Sequence, residues 1–78
     1  MKFSRHAKNN TKLYKIAPND IEKPIEKPDL SDKGNDKQTT IRRFRDKYFG
    51  YPLKVVYKIE KEEVIIVTVY PLKRKDWR

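Results

Sequence analysis

Cysteine is absent from the 78 residues. That excludes a disulfide framework, a thiolate nucleophile and a Cys-based zinc site. Histidine occurs once, at His6, so neither a His-rich metal site nor a His-centred triad is expected. There is no Gly-rich phosphate loop, no Glu/Asp pair and no EF-hand spacing. Nucleotide-dependent and metal-dependent chemistry are disfavoured, and no cofactor is expected. Long apolar runs are missing too. The longest, Val64 to Tyr70, is interrupted by Thr68 and falls far short of the roughly 20 residues a membrane span needs. Lys2, Arg5 and Lys8 break up the first residues, leaving no signal-peptide apolar stretch. The expectation is a soluble, cytoplasmic protein with no membrane partner.

Positive charge is abundant. Lys and Arg number 20 against 11 Asp and Glu, for a net charge of +9. Charged residues make up 40% of the chain, a level compatible with disorder, but the apolar residues gather in the second half and argue for a folded core. The size implies one domain over residues 1–78, with 72–78 as a basic tail. The excess charge lies in three blocks. Residues 1–18 carry +5 with no acid, residues 38–59 carry +5 with Asp46 as the one acid, and the segment from residue 64 carries +3. The intervening segments 19–37 and 60–63 carry −2 each.

Residues 3–15 predict a short helix with Ser4 as N-cap, because a Ser hydroxyl accepts from an orphan N–H of the first turn. A second helix starts at Pro18, where a missing N–H costs nothing, and Asp20 and Glu22 suit its positive end. Ile21 and Ile25 are one turn apart and face the core. Pro24 is costly inside a helix, so a short or kinked helix finished by Pro28 is expected. Residues 29–37 read as a polar loop. From residue 39 the period changes to two: 39–49, 53–59 and 64–70 read as three strands with short connections, hence antiparallel neighbours. The expected fold is α+β, two N-terminal helices packed on a three-stranded antiparallel sheet.

Parity then assigns faces. Leu53, Val55, Tyr57 and Ile59 go inside on the middle strand, Phe44 and Tyr48 on the first, and Ile65, Val67 and Val69 on the third. A four-residue connection sets Tyr48 opposite Leu53, Arg43 opposite Lys58 and Lys47 opposite Lys54. The outer face therefore collects Arg43, Arg45, Lys47, Lys54 and Lys58, with Thr68 and Tyr70 beside them. Like charges directly opposite one another destabilise a sheet, so such a face suggests a polyanion, and interleaved arginine, aromatic and hydroxyl groups suggest nucleic acid. The alternative is a solvated lysine-rich face that guards against aggregation.

Ser4-Arg5-His6-Ala7-Lys8, Ile16-Ala17-Pro18-Asn19-Asp20-Ile21-Glu22, Ile25-Glu26-Lys27-Pro28, Leu53-Lys54-Val55-Val56-Tyr57 and Val64-Ile65-Ile66-Val67-Thr68-Val69-Tyr70-Pro71 resemble a family of small domains of unknown function grouped with the RelE/ParE-like toxin superfamily. The resemblance spans nearly the whole chain. It implies a RelE/ParE-like fold and the toxin role of a toxin–antitoxin pair: a basic RNA-binding protein acting as a metal-independent mRNA endoribonuclease, with RNA (including ribosome-bound mRNA) and an acidic antitoxin as partners. ParE-type members inhibit gyrase instead. The alternative is a non-catalytic module of the same fold that binds nucleic acid or protein.

In RelE-type chemistry a basic group aids removal of the ribose 2′-hydroxyl proton, the 2′-oxygen attacks the adjacent phosphate, and cations stabilise the resulting charge. The catalytic candidates are Arg45, Lys54, Tyr70 and His6. Arg43, Arg45, Lys47, Lys54, Lys58, Lys73 and Arg74 are the candidates for phosphate contact. Relatives of this kind read His-Ala-x-x-Arg in the first helix and often carry another Arg one turn later; Asn10 and Tyr14 stand at those positions. An inactive member is the corresponding alternative. His6 has a second reading as a capping or packing residue, Tyr70 as a structural tyrosine at the sheet rim, and Trp77 as tail packing rather than a base-stacking ring.

Overall fold

The computed structural model describes residues 1–44 and 46–73. The chain opens with a two-residue strand β1 (Lys2–Phe3) and passes at Ser4 into helix α1 (Arg5–Leu13). Ser4 is extended, and its Oγ accepts from the Ala7 N–H at 3.0 Å. The same hydroxyl donates to the Val67 carbonyl at 2.6 Å, and the Ser4 N–H donates to Ile66 O at 2.9 Å. One residue thus caps the helix and moors it to the sheet. Helix α2 (Pro18–Glu26) starts on proline at its first position, with Asp20 in its first turn. Pro24 lies inside it and is fully buried. The lost backbone bond costs about 3 kcal/mol, which burial of the ring offsets. The Lys27 N–H closes the helix on Lys23 O at 2.8 Å, one residue before Pro28.

The sheet differs from the expected three-stranded antiparallel one. It has five strands in the order β1-β5-β4-β3-β2 and is mixed, with β1 parallel to β5. The added strands are β1 and β2 (Leu30–Lys33). β1 is too short to show an alternation. β2 is exposed at all four positions and was expected as loop because it buries no side chain; backbone pairing with β3 (Gln38–Arg42) makes it a strand.

The first expected strand also ends early. β3 stops at Arg42, and Tyr48–Gly50 forms a single 3-10 turn before β4 (Leu53–Glu60). Leu53 consequently pairs with Arg42 rather than Tyr48, and Lys54 with Ile41 rather than Lys47. Phe44 is buried as expected, but from irregular chain.

β4 returns as β5 (Glu63–Pro71) through Lys61 and Glu62, both left-handed at φ 49° and 64°, the geometry of a two-residue hairpin turn. A bulge then changes parity: Val56 pairs with Thr68, but Tyr57 pairs with Ile66. Ile66 and Val69 both enter the core, where strict alternation put Ile65 and Val67 with Val69. The core joins Ala7, Ile16 and Ile21 from the helical half to Phe44, Leu53, Val55, Tyr57, Ile66 and Val69. The opposite sheet face presents Lys54, Val56 and Lys58 on β4, Thr68 and Tyr70 on β5, and Thr39 and Ile41 on β3. Among the described residues, no helix is long and apolar enough to cross a membrane.

Candidate functional site

α1 covers the outer side of β5 beyond the two residues that β1 pairs with. His6, Asn10 and Leu13 recur at i, i+4 and i+7 and form one flank of the helix. That flank borders the open sheet face, because the Asn10 Nδ2 donates to Thr68 Oγ1 at 3.4 Å. The same amide lies 3.4 Å from His6 Nε2 and donates to it in the tautomer that leaves Nε2 unprotonated. Both bonds are long and weak. The imidazole is exposed, and its one weak contact, with Asn10, is easily exchanged for another partner.

Two residues along β5 from Thr68, Tyr70 pairs with Lys54 across the β4–β5 ladder. The Lys54 ammonium sits 5.7 Å from the centre of the Tyr70 ring, within reach of a cation–π contact. His6, Asn10 and Thr68 therefore continue into Tyr70 and Lys54 as one polar strip where helix meets sheet. Three residues singled out from the sequence lie along it: Lys54 and Tyr70 are in contact, and His6 is joined to the sheet through Asn10 and Thr68. Thr68 keeps the outer-face position beside Tyr70 that alternation gives it. Asn10 was not foreseen as a site residue, although its i, i+4 spacing from His6 is the available signal.

Of the remaining basic candidates that the structure describes, Lys58 keeps this face and Arg43 and Lys47 leave it. Arg43 lies beyond the end of β3, where its N–H donates to Asp29 Oδ2 at 2.8 Å. Lys58 stays on the open face but ion-pairs with Glu60 at 3.1 Å. Lys73 is exposed past the end of β5. Lys47 has turned to the helix side. Among the described residues, the expected five-cation face keeps Lys54 and Lys58, because the strand meant to carry Arg43 and Lys47 ends at Arg42. Arg45, Arg74 and Trp77 lie outside the described residues.

Lys47 has a different role. Its Nζ donates to both oxygens of Asp20, at 3.1 and 2.9 Å, and the Tyr48 hydroxyl donates to Asp20 Oδ2 at 2.7 Å. Asp20 is only 3% exposed. Burial pushes its carboxyl up, but the bonds from Tyr48 and Lys47, with the charges of Lys47 and Lys23, outweigh burial and hold it below the ordinary value of 3.8. Burial, followed by the bond to Asp20, pushes the Tyr48 hydroxyl up to about 12. The Tyr48 ring meets Phe44 edge-on with centroids 5.6 Å apart. This cluster fixes the turn that follows β3 onto the first turn of α2.

Among the described residues there is no group of three or more His, Cys, Asp or Glu able to hold a metal ion. Compared with known proteins, residues 3–71 match a family model described as a domain of unknown function (DUF4258). No curated protein and no solved structure matches.

Proposed function

The chain belongs to the DUF4258 family, whose description assigns no activity, and from that premise we propose that it binds RNA along the strip between α1 and the open sheet face and cleaves it without a metal. The observation that carries the reading is the run of polar groups from His6 through Asn10 and Thr68 to the Tyr70–Lys54 pair on the same sheet face. Transesterification of RNA needs a base for the ribose 2′-hydroxyl, an acid for the departing 5′-oxygen, and positive charge for the phosphorane between them. Imidazole is the side chain suited to proton exchange near neutral pH. His6 takes the 2′ proton once a ribose hydroxyl replaces the weak bond from Asn10. The 2′-oxygen then bonds to phosphorus, the bond from phosphorus to the 5′-oxygen breaks, and Tyr70 gives that oxygen its proton. Lys54 faces the phosphate.

The first 18 residues contain no acid, and the exposed Arg5, Lys8, Lys12 and Lys15 add a long-range positive field, Lys8 and Lys12 from the side of α1 turned away from the strip. In a toxin–antitoxin setting, the relationship that the RelE/ParE-like resemblance implies, an acidic antitoxin would neutralise this surface.

The test is cleavage of a single-stranded RNA with and without EDTA. Cleavage that persists in EDTA, leaves 2′,3′-cyclic phosphate ends and falls about 100-fold or more in His6→Ala and Tyr70→Phe is the expected result. Intact RNA with tight, salt-sensitive binding would assign the strip to a non-catalytic RNA-binding module. Absence of binding would end both readings.

A further inference from the structure

Three consecutive residues of the turn before β4 are left-handed: Tyr48 at φ 57°, Phe49 at 55° and Gly50 at 81°. Glycine adopts this conformation freely, whereas an aromatic residue there is a strained outlier. Tyr48 recovers the cost inside the molecule, through its hydroxyl on Asp20 and its ring on Phe44. Phe49 recovers nothing, since its side chain is 98% exposed. The chain holds a large apolar ring in water, on a strained backbone clamped from both preceding residues by Asp20.

Beside the ring runs a groove of about 460 Å³, walled by Leu13 and Tyr14 at the end of α1, by Phe49 and Tyr51, and by Lys15 and Lys73 at its rim. A second basin at Phe49, of about 380 Å³, adds Lys47. The carboxylate bordering these basins belongs to Asp20, already bonded to Lys47 and Tyr48. Among the described residues, neither Lys15 nor Lys73 has a carboxylate within ion-pair distance. The groove also continues the strip described above. Leu13 lies on the same flank of α1 as His6, about 10 Å further along the helix axis, and Lys73 follows Tyr70 by three residues.

We propose that this groove is a stacking subsite for unpaired bases of the same RNA strand. Phe49 and Tyr51 supply the ring faces, and Lys15 and Lys73 meet the flanking phosphates. The proposal rests on the RNA reading of the neighbouring strip and extends it to single-stranded RNA as the substrate class. Aromatic rings side by side with lysines that have no ion-pair partner among the described residues match a chain that alternates bases with phosphates. The clamp at Asp20 supplies preorganisation of the backbone that carries the ring, so less freedom is lost when a base stacks on it.

The experiment measures binding of a fluorescent single-stranded oligouridine of about twelve nucleotides and of an abasic strand of equal length, using the full chain. The proteins are wild type, Phe49→Ala, Phe49→Trp and Lys54→Ala. Phe49→Ala is expected to weaken oligouridine binding about five-fold or more and to leave abasic-strand binding unchanged, with Phe49→Trp restoring affinity. The fold is expected to survive, since the ring buries nothing, and circular dichroism checks it. Equal oligouridine affinity for wild type and Phe49→Ala overturns the subsite, as does an equal loss on both strands. A self-association seen in sedimentation and dissolved by Phe49→Ala overturns it in favour of a second copy of the chain. Lys54→Ala separates the two readings: if it weakens binding while Phe49→Ala does not, only the subsite falls. If wild type binds neither strand, the RNA reading falls and the subsite with it.

Discussion

The Tyr48 hydroxyl donates to Asp20 Oδ2 at 2.7 Å across 28 residues of sequence, joining the turn after β3 to the first turn of α2. With Lys47 on the same carboxylate, this is a buried acceptor served by two donors from one short segment. Asp20→Asn removes the charge that both donors meet and is expected to destabilise the fold by about 2 kcal/mol, read from urea unfolding. Tyr48→Phe leaves Lys47 in place and is expected to cost about 1 kcal/mol.

The same pair sets two limits on pH. Asp20 is held below 3.8 in the folded chain, so its contribution is complete above 3.8 and is lost as pH falls through the lowered folded value. Tyr48 is raised from 10.0 to about 12, so its contribution is complete below pH 10 and is lost as pH rises towards 12. Unfolding free energy measured against pH is expected to fall at both ends in wild type. Tyr48→Phe should flatten the alkaline fall relative to wild type; an unchanged alkaline limb would contradict the coupling.

Thr40 is 2% exposed, and its Oγ1 has no hydrogen-bond partner among the described residues. It pairs with Val55 in the middle of the β3–β4 ladder. Valine keeps the branched shape and removes the unsatisfied hydroxyl, so Thr40→Val is expected to stabilise the protein by about 1 kcal/mol, seen as a higher urea midpoint at constant slope.

Gly50 at φ 81° tests the strain in the turn directly. Gly50→Ala meets no neighbouring atom within 4 Å, so its whole effect is conformational, an expected loss of about 1 kcal/mol. Phe49→Gly relieves a left-handed aromatic and exposes nothing that was covered, so it is expected to leave thermal stability equal or higher. A clear drop would show that the ring serves the fold.

On the open face, Lys54 is expected to act through phosphate. Lys54→Ala should reduce the slope of log K against log salt for RNA by about one, equally for different RNA sequences.

The sequence carried the punctuated features well. Ser4 and Pro18 mark helix starts through backbone groups that any helix leaves open, and Leu53, Val55 and Tyr57 alternate because one face of a central strand is buried. It was less informative where pairing alone makes structure. β2 has no buried side chain to advertise it, and β1 is two residues long. The bulge at Val67 adds a residue without changing composition, so parity counted back from Val69 put Ile65 in the place that Ile66 occupies. The largest error followed from Phe44 and Tyr48: both face inward, as alternation required, but from irregular chain and a turn rather than from a strand. The arginine and lysine beside them therefore left the sheet, and the expected basic face went with them. Of the site, His6, Lys54 and Tyr70 were legible as residue types, while their placement along one strip depended on α1 lying beside β5 with Asn10 at Thr68.

Ser4 has a consequence for how copies of this molecule can meet. On one side the sheet is closed by a two-residue strand and then by a helix whose first side chain occupies the Val67 carbonyl. On the other, β2 is an edge with all four residues exposed, and Asp32 and Lys33 on it discourage strand addition by charge. Growth by backbone pairing is therefore open in one direction only. Two copies joined edge to edge at β2 would present only the two-residue β1 as an edge at each end, too short to extend, so removing those charges would lead to a two-fold pair and not to a fibre.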